Sequence, residues 1–163
     1  MSGIKLVTPK HCAKNFDCGN LELNEFIKKR AVEYANLGIC KTYGLIDDND
    51  KILGYYTLSS WLITLNDATQ GVLQGFVDKF SIPSALMGKL AVSTEMQKVG
   101  VGSGLIKDAV KNAALASEIL GIKALALHAK DAQLATYYKK FGFIACTKKP
   151  LYLMASLDQL RIN

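Results

Sequence analysis

Residues 87–105 read MGKLAVSTEMQKVGVGSGL, and the interpretation of the whole chain depends on this stretch. Its first six residues form an apolar strand, which leads into a polar turn. Gly100, Gly102 and Gly104 then open a long amphipathic segment. The first backbone N–H groups of a helix have no partner within the helix, and its dipole favours negative charge there. Because glycine lets the backbone lie against a phosphate, the stretch predicts a ligand that carries a phosphate or pyrophosphate.

Two common phosphate-binding loops do not match this stretch. A Walker loop requires G-x-x-x-x-G-K-[ST], and no Lys-Ser or Lys-Thr pair follows these glycines in the required place. A dinucleotide-binding fingerprint requires G-x-G-x-x-G and an acidic residue about 20 positions later, at the end of the next strand. Here the glycines stand at alternate positions, and the next predicted strand ends near His128. A glycine-rich connection between a strand and a helix, with no ligand, is the alternative interpretation.

The composition indicates a globular chain with a basic surface. A length of 163 residues, half of them hydrophobic, predicts one domain with a sizeable core. The formal net charge of +6 and a pI of about 9.1 suit an anionic ligand and are compatible with nucleic acid.

The cysteines and the N-terminus favour the cytoplasm. Cys12, Cys18, Cys40 and Cys146 form no C-x-x-C pair, and the chain has only two histidines, so we expect free thiols and no metal. The N-terminal residues lack the apolar region of a signal peptide. No run approaches the roughly 18 apolar residues of a membrane span.

Strand and helix patterns alternate along the chain, which predicts an α/β domain with a mixed sheet. Asn20 and Asp131 are expected to cap helices, and residues 66–80 show only weak helical spacing before Pro83. The expected strands are 4–8, 41–46, 52–60, 87–92, 122–127, a strand through Cys146, and 151–155; the expected helices run from Asn20 towards Gly38, from Val101 to a stop at Gly121, and after Asp131.

Two motifs resemble those of the GCN5-related N-acetyltransferases. The segment Gln97-Lys98-Val99-Gly100-Val101-Gly102 resembles the coenzyme A loop Q/R-x-x-G-x-G/A of that superfamily. The segment Tyr137-Tyr138-Lys139-Lys140-Phe141-Gly142-Phe143 resembles its F-Y-x-x-x-G-F signature. The resemblance implies a single N-acetyltransferase domain over 1–163, with a mixed central sheet flanked by helices and splayed central strands. It also implies acetyl-CoA as the acetyl donor.

A narrower resemblance, to the acetyltransferase toxins of bacterial toxin–antitoxin pairs, covers nearly the whole chain. It rests on Phe16-Asp17-Cys18-Gly19-Asn20 with Leu23 and Phe26-Ile27, on Gly54-Tyr55-Tyr56-Thr57-Leu58-Ser59, and on Ile82-Pro83 followed by Gly88-Lys89-Leu90-Ala91-Val92. The resemblance implies acetylation of the α-amino group of aminoacyl-tRNA, which blocks translation. It also implies a ribbon-helix-helix antitoxin as partner, and a homodimer is a further expectation.

Three positions depart from the pattern of these toxins. Their loop often reads Q-G-x-G-x-G, and Lys98 stands here in place of the first glycine. Lys89 stands where an arginine is usual, and Gly104 is an additional glycine.

The resemblance assigns roles to individual residues. Backbone N–H groups of Leu90, Ala91 and Val92 would hold the pantetheine and the acetyl carbonyl, and Tyr138 would protonate the leaving thiolate, with Tyr137 as a packing residue. The loop residues implied to bind the cofactor are Gln97, Lys98, Val99, Gly100, Val101, Gly102 and Ser103.

No general base is evident in the sequence. Glu95 is expected to be a solvated turn carboxylate, and His128 is expected to be structural. An α-amino group has a reference pKa of about 7.7–8.0 and so needs little help, whereas a lysine side chain at about 10.4 needs much more. The absence of a base therefore favours an α-amine acceptor.

Basic and aromatic residues are candidates for nucleic-acid contacts. Lys139, Lys140 and Trp61 are the candidate substrate-binding residues; Lys28-Lys29-Arg30, Lys148-Lys149, Tyr55 and Tyr56 are further candidates. A solvated basic face and aromatic packing are the structural alternatives. Two other functions stay open: acetylation of a small amine or protein N-terminus, and a non-catalytic acyl-CoA-binding or DNA-partner module.

Overall fold

The computed structural model describes residues 2–75 and 81–160. Its elements, in chain order, are β1 (Gly3–Leu6), α1 (Leu21–Lys29), α2 (Ala31–Asn36), β2 (Lys41–Ile46), β3 (Ile52–Ile63), α3 (Gln70–Leu73), β4 (Ile82–Val92), a 3-10 turn (Thr94–Met96), α4 (Val101–Ser117), β5 (Ala124–His128), α5 (Ala132–Lys139), β6 (Ile144–Cys146) and β7 (Lys149–Ser156). Within the described residues, seven strands form one sheet in the order β1-β2-β3-β4-β5-β7-β6. The β4–β5 pair is parallel and β1–β2, β2–β3, β5–β7 and β6–β7 are antiparallel, which confirms the predicted mixed α/β architecture.

The first of two compact units comprises Met1–Ser59 and Gly88–Ala109. Asn20 caps α1, because its side-chain oxygen accepts a hydrogen bond from the Leu23 N–H at 3.1 Å, as the sequence predicted. The expected single helix is instead divided at Arg30, whose φ of −119° separates α1 from α2. No proline or glycine marks this break, so helical periodicity alone could not locate it. Gly38, with φ +73°, follows α2 as predicted.

The hairpin between β2 and β3 is closed by its own acidic turn. One carboxylate oxygen of Asp47 accepts hydrogen bonds from the Asn49 and Lys51 N–H groups at 2.8 and 2.9 Å. Asp50 adopts φ +59°, a conformation that aspartate tolerates in turns. The acidic residues of this turn therefore order the backbone.

Gly54 in β3 allows a close approach between elements of the first unit. A Cβ atom at this position would lie 3.1 Å from the Ala91 carbonyl oxygen and 3.1 Å from Leu105 Cδ1. Both distances are shorter than ordinary van der Waals contact. The glycine therefore lets the start of α4 pack directly against β3, next to the loop that precedes this helix.

The second unit comprises Ser60–Met87 and Val110–Asn163. The β4–β5 ladder pairs Ser84–Met87 with Ala124–Leu127, and β4 continues for five residues beyond it, to Val92. Asp131 caps α5 by accepting from the Leu134 N–H at 2.8 Å, which confirms that prediction.

The loop that leads from α5 into β6 requires a glycine. Gly142 has φ +102°, and a Cβ there would lie 3.1 Å from the Gln159 carbonyl oxygen. Both its conformation and its close neighbour exclude a side chain.

Several boundaries differ from the sequence predictions, and three segments differ most clearly. β4 already begins at Ile82, so Pro83 lies inside the strand, one residue before the first residue that pairs with β5. α4 ends at Ser117, four residues before Gly121, and residues 118–120 form a turn. Within 66–80 the described helix is only α3, and residues 76–80 lie outside the described residues.

In the described ranges, no helix is long and apolar enough to cross a membrane. α4, with 17 residues, falls short of the roughly 20 that a span needs.

Candidate active site

The loop between β4 and α4 has the backbone of an anion-binding site. Lys98 and Gly100 adopt φ +65° and +91°, and α4 begins at Val101. The first intrahelical bond joins the Gly104 N–H to the Gly100 carbonyl at 3.1 Å. The N–H groups of the first helical turn before Gly104 therefore have no partner within the helix. A Cβ at Gly100 or Gly104 would have no heavy atom within 4 Å, so space is open above this backbone.

Gln97 has a role that the sequence did not reveal. Its side-chain Nε2 donates to the carbonyl oxygens of Val92 at 2.9 Å and Cys18 at 3.1 Å. The Thr94 N–H also donates to the Asp17 carbonyl at 2.8 Å. The amide of Gln97 is thus occupied in fixing the start of the loop to the end of β4 and to residues 17–18.

Asn24 and Asp17 fix the backbone of residues 17–19, to which the loop is hydrogen-bonded. Asn24 is buried; its Oδ1 accepts from the Cys18 N–H at 2.9 Å and its Nδ2 donates to Asp17 Oδ1 at 3.0 Å. A bond from the Gly19 N–H and this bond from Asn24 hold the pKa of the Asp17 carboxyl below its usual value. The signal for this network is in the sequence: Asn24 is a polar residue on the apolar face of an amphipathic helix.

The end of β4 supplies the neighbouring backbone. Ala91 is buried, and Leu90 and Val92 are half-buried. The Lys89 N–H donates to Thr57 Oγ1 at 3.0 Å, and Lys89 Nζ lies 4.8 Å from the centre of the Phe26 ring. Lys89 also borders an open cleft of about 400 Å³, which is lined by Glu22, Glu25, Phe26, Lys29, Arg30, Tyr34 and Lys89.

Tyr138 lies on α5 in the second unit and is 7% exposed. Its ring packs edge-on against Phe143, with the ring centres 6.3 Å apart. Burial, with a smaller contribution from Tyr137, raises the pKa of Tyr138 to about 12, so the phenol keeps its proton at neutral pH. Tyr137 is half-buried and packs against Phe141, as expected for a packing residue.

The family model of the acetyltransferase (GNAT) domain matches residues 41–145, which include β4, the glycine loop and α5. The chain belongs to the GNAT acetyltransferases. It is therefore an N-acetyltransferase by family, in agreement with the motifs in its sequence.

Individual relatives match nearly the whole GNAT chain. It is 28% identical over 147 residues to the "tRNA-acetylating toxin" of Mycobacterium tuberculosis, an alignment that covers 90% of this chain and 87% of the relative. The structure of AtaT complexed with acetyl-methionyl-tRNAfMet matches with a TM-score of 0.89 at 26% identity, covering 97% and 96% of the two chains. A tyrosine-to-phenylalanine mutant of AtaT bound to the C-terminus of the antitoxin AtaR matches with a TM-score of 0.82 at 26% identity, covering 98% and 95%.

The tyrosines of β3 cannot contact a substrate base in this GNAT chain. Tyr55 and Tyr56 are fully buried, and their hydroxyls donate to the Leu23 carbonyl at 2.7 Å and to Asp108 Oδ2 at 2.6 Å. Both residues therefore belong to the core, which confirms the packing alternative for Tyr55 and Tyr56 and excludes them as stacking residues.

The basic clusters differ in their pairing. Lys29 and Arg30 form exposed ion pairs with Glu25 at 2.6 Å and Glu33 at 3.1 Å. Lys139 and Lys140, at the end of α5, are exposed. The charges of Lys29 and Arg30 are therefore partly neutralised by Glu25 and Glu33.

The side chains of Glu95 and His128 are both engaged in contacts of their own. Glu95 is exposed and forms an ion pair with Lys51 at 2.5 Å. Much of the His128 side chain is exposed at the end of β5, but its partial burial and then the charge of Lys149 lower the pKa of its imidazole. Its ring stacks on Tyr152, a contact that the sequence did not indicate because β5 and β7 are separated along the chain.

Proposed function

We propose that this GNAT chain is a toxin that transfers the acetyl group of acetyl-CoA to the α-amino group of aminoacyl-tRNA and so blocks translation. The observation that carries the proposal is its match, over 97% of the chain, to AtaT complexed with acetyl-methionyl-tRNAfMet. The tRNA-acetylating toxin of Mycobacterium tuberculosis, which aligns with 90% of the chain, supports the same substrate class.

The loop residues fit the pyrophosphate of coenzyme A. Donors come from the first turn of α4, where the N–H groups of Val101, Gly102 and Ser103 precede the first helical bond. Open space at Gly100 accommodates an anion against the backbone. We assign the Gln97 side chain to holding the loop, and the backbone of Gln97, Lys98 and Val99 to lining it.

The end of β4 is proposed to orient the acetyl group. Acetyl-CoA, when bound, supplies an acetyl group activated as a thioester. β4 continues to Val92 beyond its ladder with β5, so backbone groups of Leu90, Ala91 and Val92 are assigned to bind the pantetheine and the acetyl carbonyl. Loss of one such oxyanion donor costs about 3–4 kcal/mol in other enzymes.

Tyr138 is proposed to stabilise the leaving thiolate. Its raised pKa of about 12 keeps the hydroxyl protonated, so that it donates a hydrogen bond as negative charge develops on sulfur. Donation of this proton to the departing thiolate is the general-acid role that we propose for Tyr138. An α-amine acceptor needs little base, in keeping with the surroundings of Glu95 and His128.

The remaining assignments follow from the same function. We propose one N-acetyltransferase domain over 1–163, a cytoplasmic location and no metal. We also propose that a ribbon-helix-helix antitoxin binds this chain; the match to AtaT bound to the antitoxin AtaR supports an antitoxin partner. A homodimer is proposed as the assembled form. Lys139, Lys140 and Trp61 are proposed to contact the tRNA.

The test is transfer of labelled acetyl from acetyl-CoA to a mixture of aminoacyl-tRNAs. We expect label on the aminoacyl group and none on the same tRNAs after the amino acids are removed. Free amino acid esters should react far more slowly, because they lack the tRNA. Equal rates with and without tRNA would instead support a small-amine acetyltransferase, and binding of acetyl-CoA without turnover would support a non-catalytic module.

A further inference from the structure

Three aromatic rings from separate strands form a cluster in the second unit. The His128 and Tyr152 rings are parallel, with an interplanar angle of 8° and ring centres 4.5 Å apart. Trp61 meets His128 edge-on at 5.8 Å, and its Nε1 donates to the Tyr152 hydroxyl at 2.8 Å. β3, β5 and β7 each contribute one ring, so the sheet fixes their arrangement.

The cluster is graded from buried to exposed. Tyr152 is 5% exposed, Trp61 is half-buried, and His128 is exposed. A ring that served only to pack the sheet would be expected inside, with Tyr152. The His128 imidazole instead extends the stack towards solvent, where a further planar group can join it.

Positive charge lies beside the rings. Lys149 Nζ is 6.0 Å from the centre of the Tyr152 ring and 2.8 Å from Asp67 Oδ2, while 59% of the Lys149 side chain is exposed. The ion pair with Asp67 holds this ammonium group in place and neutralises part of its charge, and the adjacent Lys148, which is also exposed, adds a second positive charge. A planar platform with a fixed cation beside it has the two features that bind a nucleotide in a single strand.

We infer that Trp61, His128 and Tyr152, with Lys149 beside them, form a stacking site for an unpaired nucleobase and its adjoining phosphate. The inference rests on the proposed function, because aminoacyl-tRNA carries its amino acid on an unpaired 3′ end. It adds His128 and Tyr152 to Trp61 and states what they bind. His128 acts through its ring face in this site and is not a catalytic residue.

Trp61 provides the measurement, because it is the only tryptophan in the chain. A short single-stranded RNA is titrated into the protein while the fluorescence of Trp61 is followed. A strand of the same length that lacks bases serves as the control for phosphate contacts alone. We expect saturable quenching by the RNA and little or none by the strand without bases.

The variants separate stacking from other roles of the histidine. His128→Ala should weaken RNA binding by about 5- to 100-fold, the usual range for loss of one stacked base. His128→Tyr keeps a planar ring without an imidazole and should bind within about threefold of wild type, the scatter we allow around an unchanged stack. Both changes are at an exposed position, and unchanged melting temperatures will show that the fold is intact.

Lys149→Gln tests the phosphate contact. It should weaken binding of the RNA and lower the slope of log affinity against log salt by less than about 1, because Asp67 already neutralises part of the Lys149 charge. Lys148→Gln, at the adjacent position, is the matched control and should have the smaller effect, because it is Lys149 that lies beside the Tyr152 ring.

Equal RNA affinity of His128→Ala and wild type would overturn the inference, as would equal quenching by the two strands. These measurements read binding without turnover. Failure of the proposed function would appear separately, as wild-type protein that binds RNA at this site but does not acetylate aminoacyl-tRNA. Failure of the inference alone would appear as a wild-type protein that acetylates aminoacyl-tRNA and a His128→Ala variant whose KM for tRNA equals that of wild type.

Discussion

The glycine loop of the first unit and the aromatic groups of the second are built in opposite ways. The loop offers backbone N–H groups, and the side chain of Gln97 holds the loop itself through two hydrogen bonds. In the second unit the candidate functional groups are side chains: the Tyr138 phenol and the rings of Trp61, His128 and Tyr152. A site made of backbone should tolerate most changes that leave the backbone open, whereas a site made of side chains should depend on single atoms.

The largest expected effect is at Gly102. Gly102→Asp places a carboxylate at the first turn of α4, where the phosphate would lie, and we expect loss of acetyl-CoA binding in calorimetry. Gly104→Ala is the control: a Cβ there meets no heavy atom within 4 Å, so binding should persist. Its helix should gain about 1 kcal/mol in propensity. Normal binding by Gly102→Asp would show that this loop is not the phosphate site.

Tyr138→Phe tests the side-chain site and is next in size. The variant keeps the ring and its packing on Phe143 but removes the hydroxyl. We expect kcat to fall by about 10²–10⁴ while acetyl-CoA affinity and melting temperature stay close to wild type. Tyr137→Phe should have nearly wild-type kcat, since Tyr137 packs against Phe141. A loss of stability in Tyr138→Phe without a loss of rate would show that the residue only packs.

The sequence predicts those features that are formed by residues close together in the chain. The glycine spacing, the caps Asn20 and Asp131, and the hairpin around 47–50 each depend on residues close together in the chain, and the structure confirms the caps and the hairpin. The loop could be proposed for the same reason, because a phosphate site made of backbone N–H groups requires closely spaced glycines, here at 100, 102 and 104.

The rest depends on tertiary contacts, which periodicity does not contain. The stack of Trp61, His128 and Tyr152 joins residues that are far apart in sequence. Burial of Tyr55 and Tyr56 results from neighbours that cover both sides of β3, so a strand rich in tyrosine could equally have carried an exposed face. Sites made of side chains from distant parts of the chain are therefore harder to predict from the sequence than sites made of a continuous backbone segment.

Charge reversal at Lys139 and Lys140 should have an intermediate effect, on tRNA alone. Both side chains are exposed at the end of α5. The doubly reversed variant should bind tRNA about 10-fold more weakly, with a salt slope lower by about 2, because two phosphate contacts are lost. The same reversal at Lys29 and Arg30 should have less effect, since their charges are already paired with Glu25 and Glu33. Equal salt slopes for wild type and the first variant would return Lys139 and Lys140 to a solvated surface.

A smaller effect is expected in the pH dependence of stability. Burial, and then the charge of Lys149, lowers the pKa of His128 below its ordinary 6.5, so the unfolded chain binds this proton more readily than the folded chain. The resulting stability is fully present above about pH 6.5 and is lost as pH falls through the folded-state pKa. The melting temperature of wild type should therefore rise between about pH 5 and 7. His128→Asn should reduce this slope without abolishing it, because the pKa of His11 is lowered as well.

The smallest effect returns to the loop, at Lys98. This residue has φ +65°, a conformation that costs a residue with a Cβ about 1–2 kcal/mol and glycine very little. Lys98→Gly removes that strain but makes the unfolded chain more flexible, at a cost of about 0.5–1 kcal/mol. We expect a net gain of up to about 1 kcal/mol, which is a rise of about 2–4 °C in melting temperature for a chain of this length.

Lys98→Ala separates the backbone from the charge at the same position. It keeps the Cβ and its strain, so it should not gain the stability of Lys98→Gly, and both variants lose the same ammonium group. If the loop binds through its backbone, both should bind acetyl-CoA within about fivefold of wild type, since one exposed charge contributes no more than about 1 kcal/mol. An equal and large loss of affinity in both variants would mean that the Lys98 side chain contacts the phosphate. The loop would then depend on a single side chain, as the second unit is proposed to depend on Tyr138. The contrast between the two units would fail at Lys98.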